Sequence, residues 1–257
     1  MAMVADTQWD DEEIVLTHMS PDTRFLFDRM TQATLAAVAP APGERVLDVA
    51  CGRGTDAVQM ARQGGLLFGL EPSAGMIAKG GEWLLGPEPF LRAVRGLAEA
   101  LPFADQTFDK VVCKGAIDHF VDAEQTVAEM SRVCKRDGRV IVSVANFESL
   151  SCRLGRALDR LRQGLSGKPR AGRAFWEMPE DHNFRFEPRF LRHCLEPHCQ
   201  INSLLGVSLL WGFPHWGQAL QKLAPATAEF ILTRLDWTAR RVPAWADVLV
   251  AVAAPRR

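Results

Sequence analysis

Between Arg45 and Glu71 an apolar run, a glycine turn, a short amphipathic segment and a second apolar run follow without a break. That order leaves few folds open. Arg45 to Ala50 reads as a short buried strand, and Asp56 to Gln63 as a helix with apolar positions at Ala57, Met60 and Ala61. Leu66 to Leu70 reads as a second strand, and Glu71 stands at its carboxyl end. A strand, a Gly-rich turn, a helix and an acid after the second strand suit a nucleoside ligand. Glycines let the backbone approach closely, and the acid accepts both ribose hydroxyls.

Two cofactors fit this unit and they differ in charge. Gly52-Arg53-Gly54-Thr55-Asp56-Ala57 matches the relaxed dinucleotide fingerprint, with Ala in the third small position. A dinucleotide places its anionic pyrophosphate at the helix start. Asp48 lies just before that turn and Asp56 just inside the helix, so two carboxylates would crowd the anion. S-adenosylmethionine has no phosphate, and its amino and sulfonium groups are cationic. The charges therefore favour S-adenosylmethionine, while the glycines alone leave both open.

The segments Val46 to Gly54, Gly69 to Met76, Gly96 to Phe103, Phe108 to Val112, Ile117 to Phe120 and Glu129 to Gly138 follow in order. In these segments the chain resembles the class I S-adenosylmethionine-dependent methyltransferases, most closely the bacterial small-molecule branch often labelled type 11. The resemblance covers roughly residues 40 to 150. It implies an α/β fold, a doubly wound, Rossmann-like sheet of seven strands with the last antiparallel, and helical cap elements. It further implies that Asp48, Ala50, Cys51, Gly52 and Gly54 surround the methionine part of the cofactor and that Glu71 holds the ribose. Pro72 and Met76 would pack near the adenine, with Leu97 and Ala98 on its other side, and Lys114 would present its backbone. Two positions depart from the pattern. Ala50 replaces the usual first glycine, and Leu97 stands where an Asp often bonds the adenine amino group, leaving the backbone amide of Ala98 for that contact.

The rest of the chain extends this layout. Pro21 to Ala39 reads as an amphipathic helix with Phe25, Leu26, Met30, Leu35 and Val38 on its apolar face. Strands are expected near Leu91–Val94, Lys110–Cys113, Arg139–Val144 and Trp245–Ala254, and a helix at Ala123–Cys134 with Gly138 as its stop. The chain divides on this reading into an N-terminal helical cap (1–42), a cofactor-binding core (43–146), a lid insertion (147–187) and a C-terminal part of the core (188–257) with a helical insertion at 212–243. The net charge of −1 argues against a protein devoted to nucleic acid. No apolar run has the length of a bilayer span and the N-terminus has no apolar signal core, so a cytoplasmic protein without a membrane partner is expected. The six cysteines lack paired Cys-x-x-Cys spacing and read as buried small hydrophobes; His193 to Cys199 reads as a helix end at Pro197 rather than a metal motif.

The lid carries Arg153, Arg156, Arg160, Arg162, Lys168, Arg170 and Arg173, relieved by Asp159. It reads first as a solvated helix face, and alternatively as a surface that recruits an acidic acceptor or a carrier protein. Trp176, Phe184, Phe186, Trp211 and Trp216 are candidates to line an apolar acceptor pocket. Methyl transfer needs alignment above all, and an oxygen or thiol acceptor must also lose a proton. With no tyrosine in the chain, Asp118, His119 and His182 are the candidate catalytic groups, and a metal-free site is expected. The expected function is transfer of a methyl group from S-adenosylmethionine, leaving S-adenosylhomocysteine, to a small-molecule acceptor at oxygen. A nucleic-acid methyltransferase, a non-catalytic cofactor-binding protein and a dinucleotide oxidoreductase stay open as alternatives. Nothing in the sequence points to an oligomeric state.

Overall fold

The computed structural model describes residues 7–9, 19–81, 91–168, 170 and 172–256. Seven strands form one sheet: β1 (Arg45–Val49), β2 (Leu66–Glu71), β3 (Leu91–Arg95), β4 (Phe108–Lys114), β5 (Cys134–Ala145), β6 (Cys199–Val207) and β7 (Val248–Pro255), in the order β3-β2-β1-β4-β5-β7-β6. The first five pair in parallel, and β7 runs antiparallel to both β5 and β6, as the resemblance implies. The central strands read as continuous apolar runs because helices cover both faces of the sheet.

Eight α-helices accompany the strands among the described residues: α1 (Pro21–Val38), α2 (Thr55–Arg62), α3 (Ala74–Lys79), α4 (Ala123–Val133), α5 (Leu150–Ser166), α6 (Pro188–Leu195), α7 (Trp216–Gln221) and α8 (Pro225–Arg241). On one face α4 and α6 pack through Val127, Met130, Val133, Leu191 and Leu195 against Leu47, Val111 and Val142. On the other, Leu26, Met30, Leu35 and Val38 of α1 meet Val46, Val112, Ile141 and Val250. Side chains start several helices where the sequence supplies a cap: Ser73 accepts from the Met76 amide at 3.2 Å and Asp122 from the Gln125 amide at 2.9 Å. All six cysteines are buried and free. Among the described residues, no helix is long and apolar enough to cross a membrane.

Gly138 corrects one expectation. The helix before it ends at Val133, and Gly138 lies inside β5, where the pairing with β4 slips between Phe108 and Lys110. A Cβ there would stand 2.6 Å from the Asp109 carbonyl oxygen and 2.7 Å from Cys134 Sγ, so the residue is glycine for close approach at a bulge, not as a helix stop.

Gly206 of β6 is held more tightly still. A Cβ would strike the Ala239 carbonyl oxygen of α8 and lie 2.7 Å from Ala246 Cβ and 2.9 Å from Pro243 Cα, all of them backbone or stiff neighbours. Gly206→Ala should therefore lower unfolding stability by about 3 kcal/mol in urea titration, the upper end of the cost of overpacking. A midpoint equal to that of the parent protein would mean that α8 yields without cost.

Candidate active site

The strand order reverses beside β1, which pairs with β2 on one side and β4 on the other. The connections leaving the two strands diverge there, opening a crevice at the carboxyl edge of the sheet. A cavity of about 220 Å³ fills it. Its walls are the β1–α2 turn, the ends of β2 and β4, residues 97–99, the 3₁₀ turn Ile117–His119 and two outlying residues, Trp9 and Asp181.

The β1–α2 turn is wound left-handed at Ala50 (φ 60°), Gly52 (φ 56°) and Gly54 (φ 76°). Ala50 takes this conformation with a Cβ, so the turn stores backbone strain beside the cavity. Glu71 organises the turn from the next strand. Its Oε2 accepts from the Gly52 amide and its Oε1 from the Ser73 amide, each at 2.9 Å. Burial raises the pKa of Glu71, and these two bonds oppose the rise.

Asp48, Asp56 and Glu71 meet in this part of the cavity. Lys114 Nζ lies 2.5 Å from Asp56 Oδ2 and donates to Thr31 Oγ1 of α1 at 2.9 Å, so it is engaged away from Asp48. Burial, reinforced by the Asp56 and Glu71 charges and resisted by Lys114, pushes the Asp48 carboxyl up to about 8. Such a wall favours a cation and repels an anion.

The rest of the lining is more apolar, with His119, Glu99 and Asp181 as its titratable groups. Trp9, Leu97, Ala116 and Phe120 stand there together with His119. Behind His119 stand Asp118 and His182, and one ligand or proton-bearing atom from each of the three lies within 4.8 Å of the others. His119 Nδ1 is 3.0 Å from the Asp181 carbonyl oxygen. A carbonyl only accepts, so this contact assigns the proton to Nδ1 and leaves Nε2 as acceptor, 3.9 Å from Asp118 Oδ1. That buried Oδ1 has no hydrogen-bond partner among the described residues, and neither has His182 Nδ1, although it lies 3.2 Å from Asp118 Oδ2. Burial lowers the pKa of His182, with the neighbouring Asp118 charge opposing, so its ring is neutral near pH 7. Backbone pairing makes the constellation: Asn183 and Phe184 amides donate to the Asp118 carbonyl oxygen at 2.8 and 3.1 Å, and Asn183 Nδ2 donates to the carbonyl oxygens of His119 and Phe120.

The cavity is thus lined by every residue expected to bind cofactor except Gly54: Asp48, Ala50, Cys51, Gly52, Glu71, Pro72, Met76, Leu97, Ala98 and Lys114. Gly54 supplies the left-handed N-cap of α2 instead. Of the three catalytic candidates, His119 faces the cavity, and Asp118 and His182 back it. The five aromatics expected to line an acceptor pocket lie outside this cavity. Trp176 packs with Ala174 and Cys152, Phe184 stacks on Phe190, Phe186 is wholly buried, Trp211 donates to Thr23, and Trp216 packs with Phe25 and Leu220. Trp9, Phe120 and Asp181 were missed, because nothing local in their segments marks a binding residue.

Residues 47–142 match a family described as a methyltransferase domain. The demethylmenaquinone methyltransferase of Thermobifida fusca is 36% identical over 159 residues, covering 61% of this chain and 65% of its own length. That of Beutenbergia cavernae is 36% identical over 147 residues, covering 54% and 60%. The chain thus spans a little under two thirds of the length of these curated relatives. The crystal structure of the PH0226 protein from Pyrococcus horikoshii superposes with a TM-score of 0.60 at 18% identity, over 96% of this chain and all of that one, and shares the fold. Residues 47–142 thus match a methyltransferase domain, and the sheet order and acid-lined glycine turn around them are those expected from the resemblance to class I S-adenosylmethionine-dependent methyltransferases.

Proposed function

We propose that the chain transfers a methyl group from S-adenosylmethionine to the hydroxyl oxygen of a small, largely apolar acceptor. The observation that carries this is one cavity lined by the acids Asp48, Asp56 and Glu71 and also by Trp9, Leu97 and Phe120 with His119 at its wall. The names of the curated relatives support a small-molecule acceptor. S-adenosylmethionine fits the acid-lined part: Glu71 would hold the ribose, Asp48 the cationic methionine end, and the Ala98 amide the adenine. When bound, it supplies an electrophilic methyl group. The chain aligns and deprotonates the acceptor. Trp9 and Phe120 pack its apolar body, and His119 Nε2 takes the hydroxyl proton. The Asp118 carboxylate, with Oδ1 3.9 Å from Nε2, would face the imidazolium that forms. His182, held neutral, avoids a second positive charge beside the first.

Calorimetric titration tests the acid-lined part directly. S-adenosylmethionine and S-adenosylhomocysteine bind and NAD does not. In the free protein Asp48 keeps its proton below about 8, and a cationic ligand favours the ionised form. Binding therefore expels a proton, and affinity for S-adenosylmethionine rises as pH climbs toward that value, by up to roughly tenfold per unit. Asp48→Asn abolishes this dependence. Binding of NAD, or an affinity indifferent to pH in the parent protein, would overturn the assignment.

A further inference from the structure

Helix α5 is anchored at one end only. Ser151, Cys152 and Gly155 are buried, and a Cβ on Gly155 would strike the Trp176 ring, which fixes the first two turns to the body. From Arg160 to Gly167 every residue is exposed. The exposed face of the helix is not polar. Leu154, Leu158, Leu161 and Leu165 recur at helical spacing along one narrow stripe, and they are 40%, 54%, 61% and 82% exposed. Leucines exposed singly need no explanation, but a contiguous stripe of four along a projecting helix marks a binding face.

Cations flank the stripe. Arg153 and Arg160 lie on one side of it and Arg162 on the other, with Lys168, Arg170 and Arg173 in the segment that follows. Glu148 takes Arg156 at 2.8 Å and Arg153 at 3.6 Å, and Asp159 takes Arg162 at 3.1 Å. Arg160, Lys168 and Arg173 are exposed and have no ion pair among the described residues. The neighbouring helix shows similar chemistry. On α8, Phe230 and Trp237 are more than half exposed opposite its buried face, with Arg234 over the Phe230 ring and Arg241 over the Trp237 ring. Helices α5 and α8 both pack on the turn Pro243–Trp245, whose Trp245 is exposed too.

We infer that α5 docks this protein on an anionic lipid surface, its leucines entering the headgroup boundary and its arginines meeting lipid phosphate. An apolar stripe with basic flanks suits that interface, where long cationic side chains reach outward and aromatic residues settle at headgroup level. Charge decides against a second copy: pairing this face with itself would set unpaired cations against cations. This departs from the sequence expectation of no membrane partner. The inference is independent of the acceptor, and it gives the leucine stripe a role that a solvated helix face or an acidic small molecule would not.

Vesicle flotation tests it with the full chain. The protein floats with phosphatidylcholine vesicles containing phosphatidylglycerol, remains free with phosphatidylcholine alone, and dissociates in high salt. Leu158→Asp with Leu161→Asp, and separately Arg160→Glu with Lys168→Glu, each reduce the bound-to-free ratio roughly tenfold or more. Both variants keep the parent affinity for S-adenosylmethionine, which reports an intact fold. No binding to anionic vesicles, equal binding to both vesicle types, or binding unaffected by either pair of substitutions would overturn the inference. A parent dimer in gel filtration that the leucine substitutions convert to monomer would assign the stripe to a second copy instead.

Discussion

Glu71→Ala should raise the dissociation constant for S-adenosylmethionine roughly 100-fold, with NAD still unbound. Two ribose hydroxyls bonded to one carboxylate are charge-assisted contacts, each about 1.5–3 kcal/mol when lost from a desolvated site. The same side chain holds the Gly52 and Ser73 amides, so its removal also loosens the left-handed turn that faces the ligand. Burial already raises the Glu71 pKa, and the backbone amides help to keep the group ionised for its ligand. Glu71→Gln separates the two roles. It retains one carbonyl acceptor for the backbone but loses the charge, so it should keep most of the parent stability while losing a large part of the affinity. Calorimetry on both variants, alongside urea unfolding, reads the two effects apart. Parent-like affinity in Glu71→Ala would remove Glu71 from the cofactor site.

The acid-lined part of the cavity was legible because its parts are local. Strand, turn, helix and Glu71 fall within one βαβ unit, and the two periodicities of apolar residues locate each element to within a residue or two. The part around His119 depends on chain segments far apart. His182 reaches Asp118 because Asn183 and Phe184 pair with the backbone of the turn after β4, and no spacing in the sequence encodes that pairing. Trp9 reaches the cavity from a stretch that reads only as acidic. Aromatic residues mislead for a related reason. A large ring is as useful in a core as in a pocket, and Phe186, wholly buried, shows which use prevailed. Gly138 signalled close backbone approach, but a helix stop and a bulge use the same residue. On α5 the arginines stood out in the sequence and the leucines did not, since an apolar stripe on a helix ordinarily packs inward.

Asp118→Asn should lower kcat by roughly 100-fold while leaving the KM for S-adenosylmethionine near that of the parent. The substitution keeps the shape of the side chain and removes the charge that receives the proton-loaded His119. Because Asp118 stands behind His119 and does not line the cavity, it acts as a positioning residue, and its loss should spare cofactor binding. His119→Ala removes the proton acceptor itself and should cost at least as much. The double variant should be little slower than His119→Ala alone, since the two residues act as one unit. Additive losses would mean that Asp118 works through the fold instead. Dialysis against a chelator belongs beside these variants, because Asp118, His119 and His182 also have the chemistry of a metal site. Under the proton-acceptor reading the parent rate is unchanged after dialysis. A rate that falls with chelation and returns with a divalent cation would replace the base at His119 with a bound metal ion.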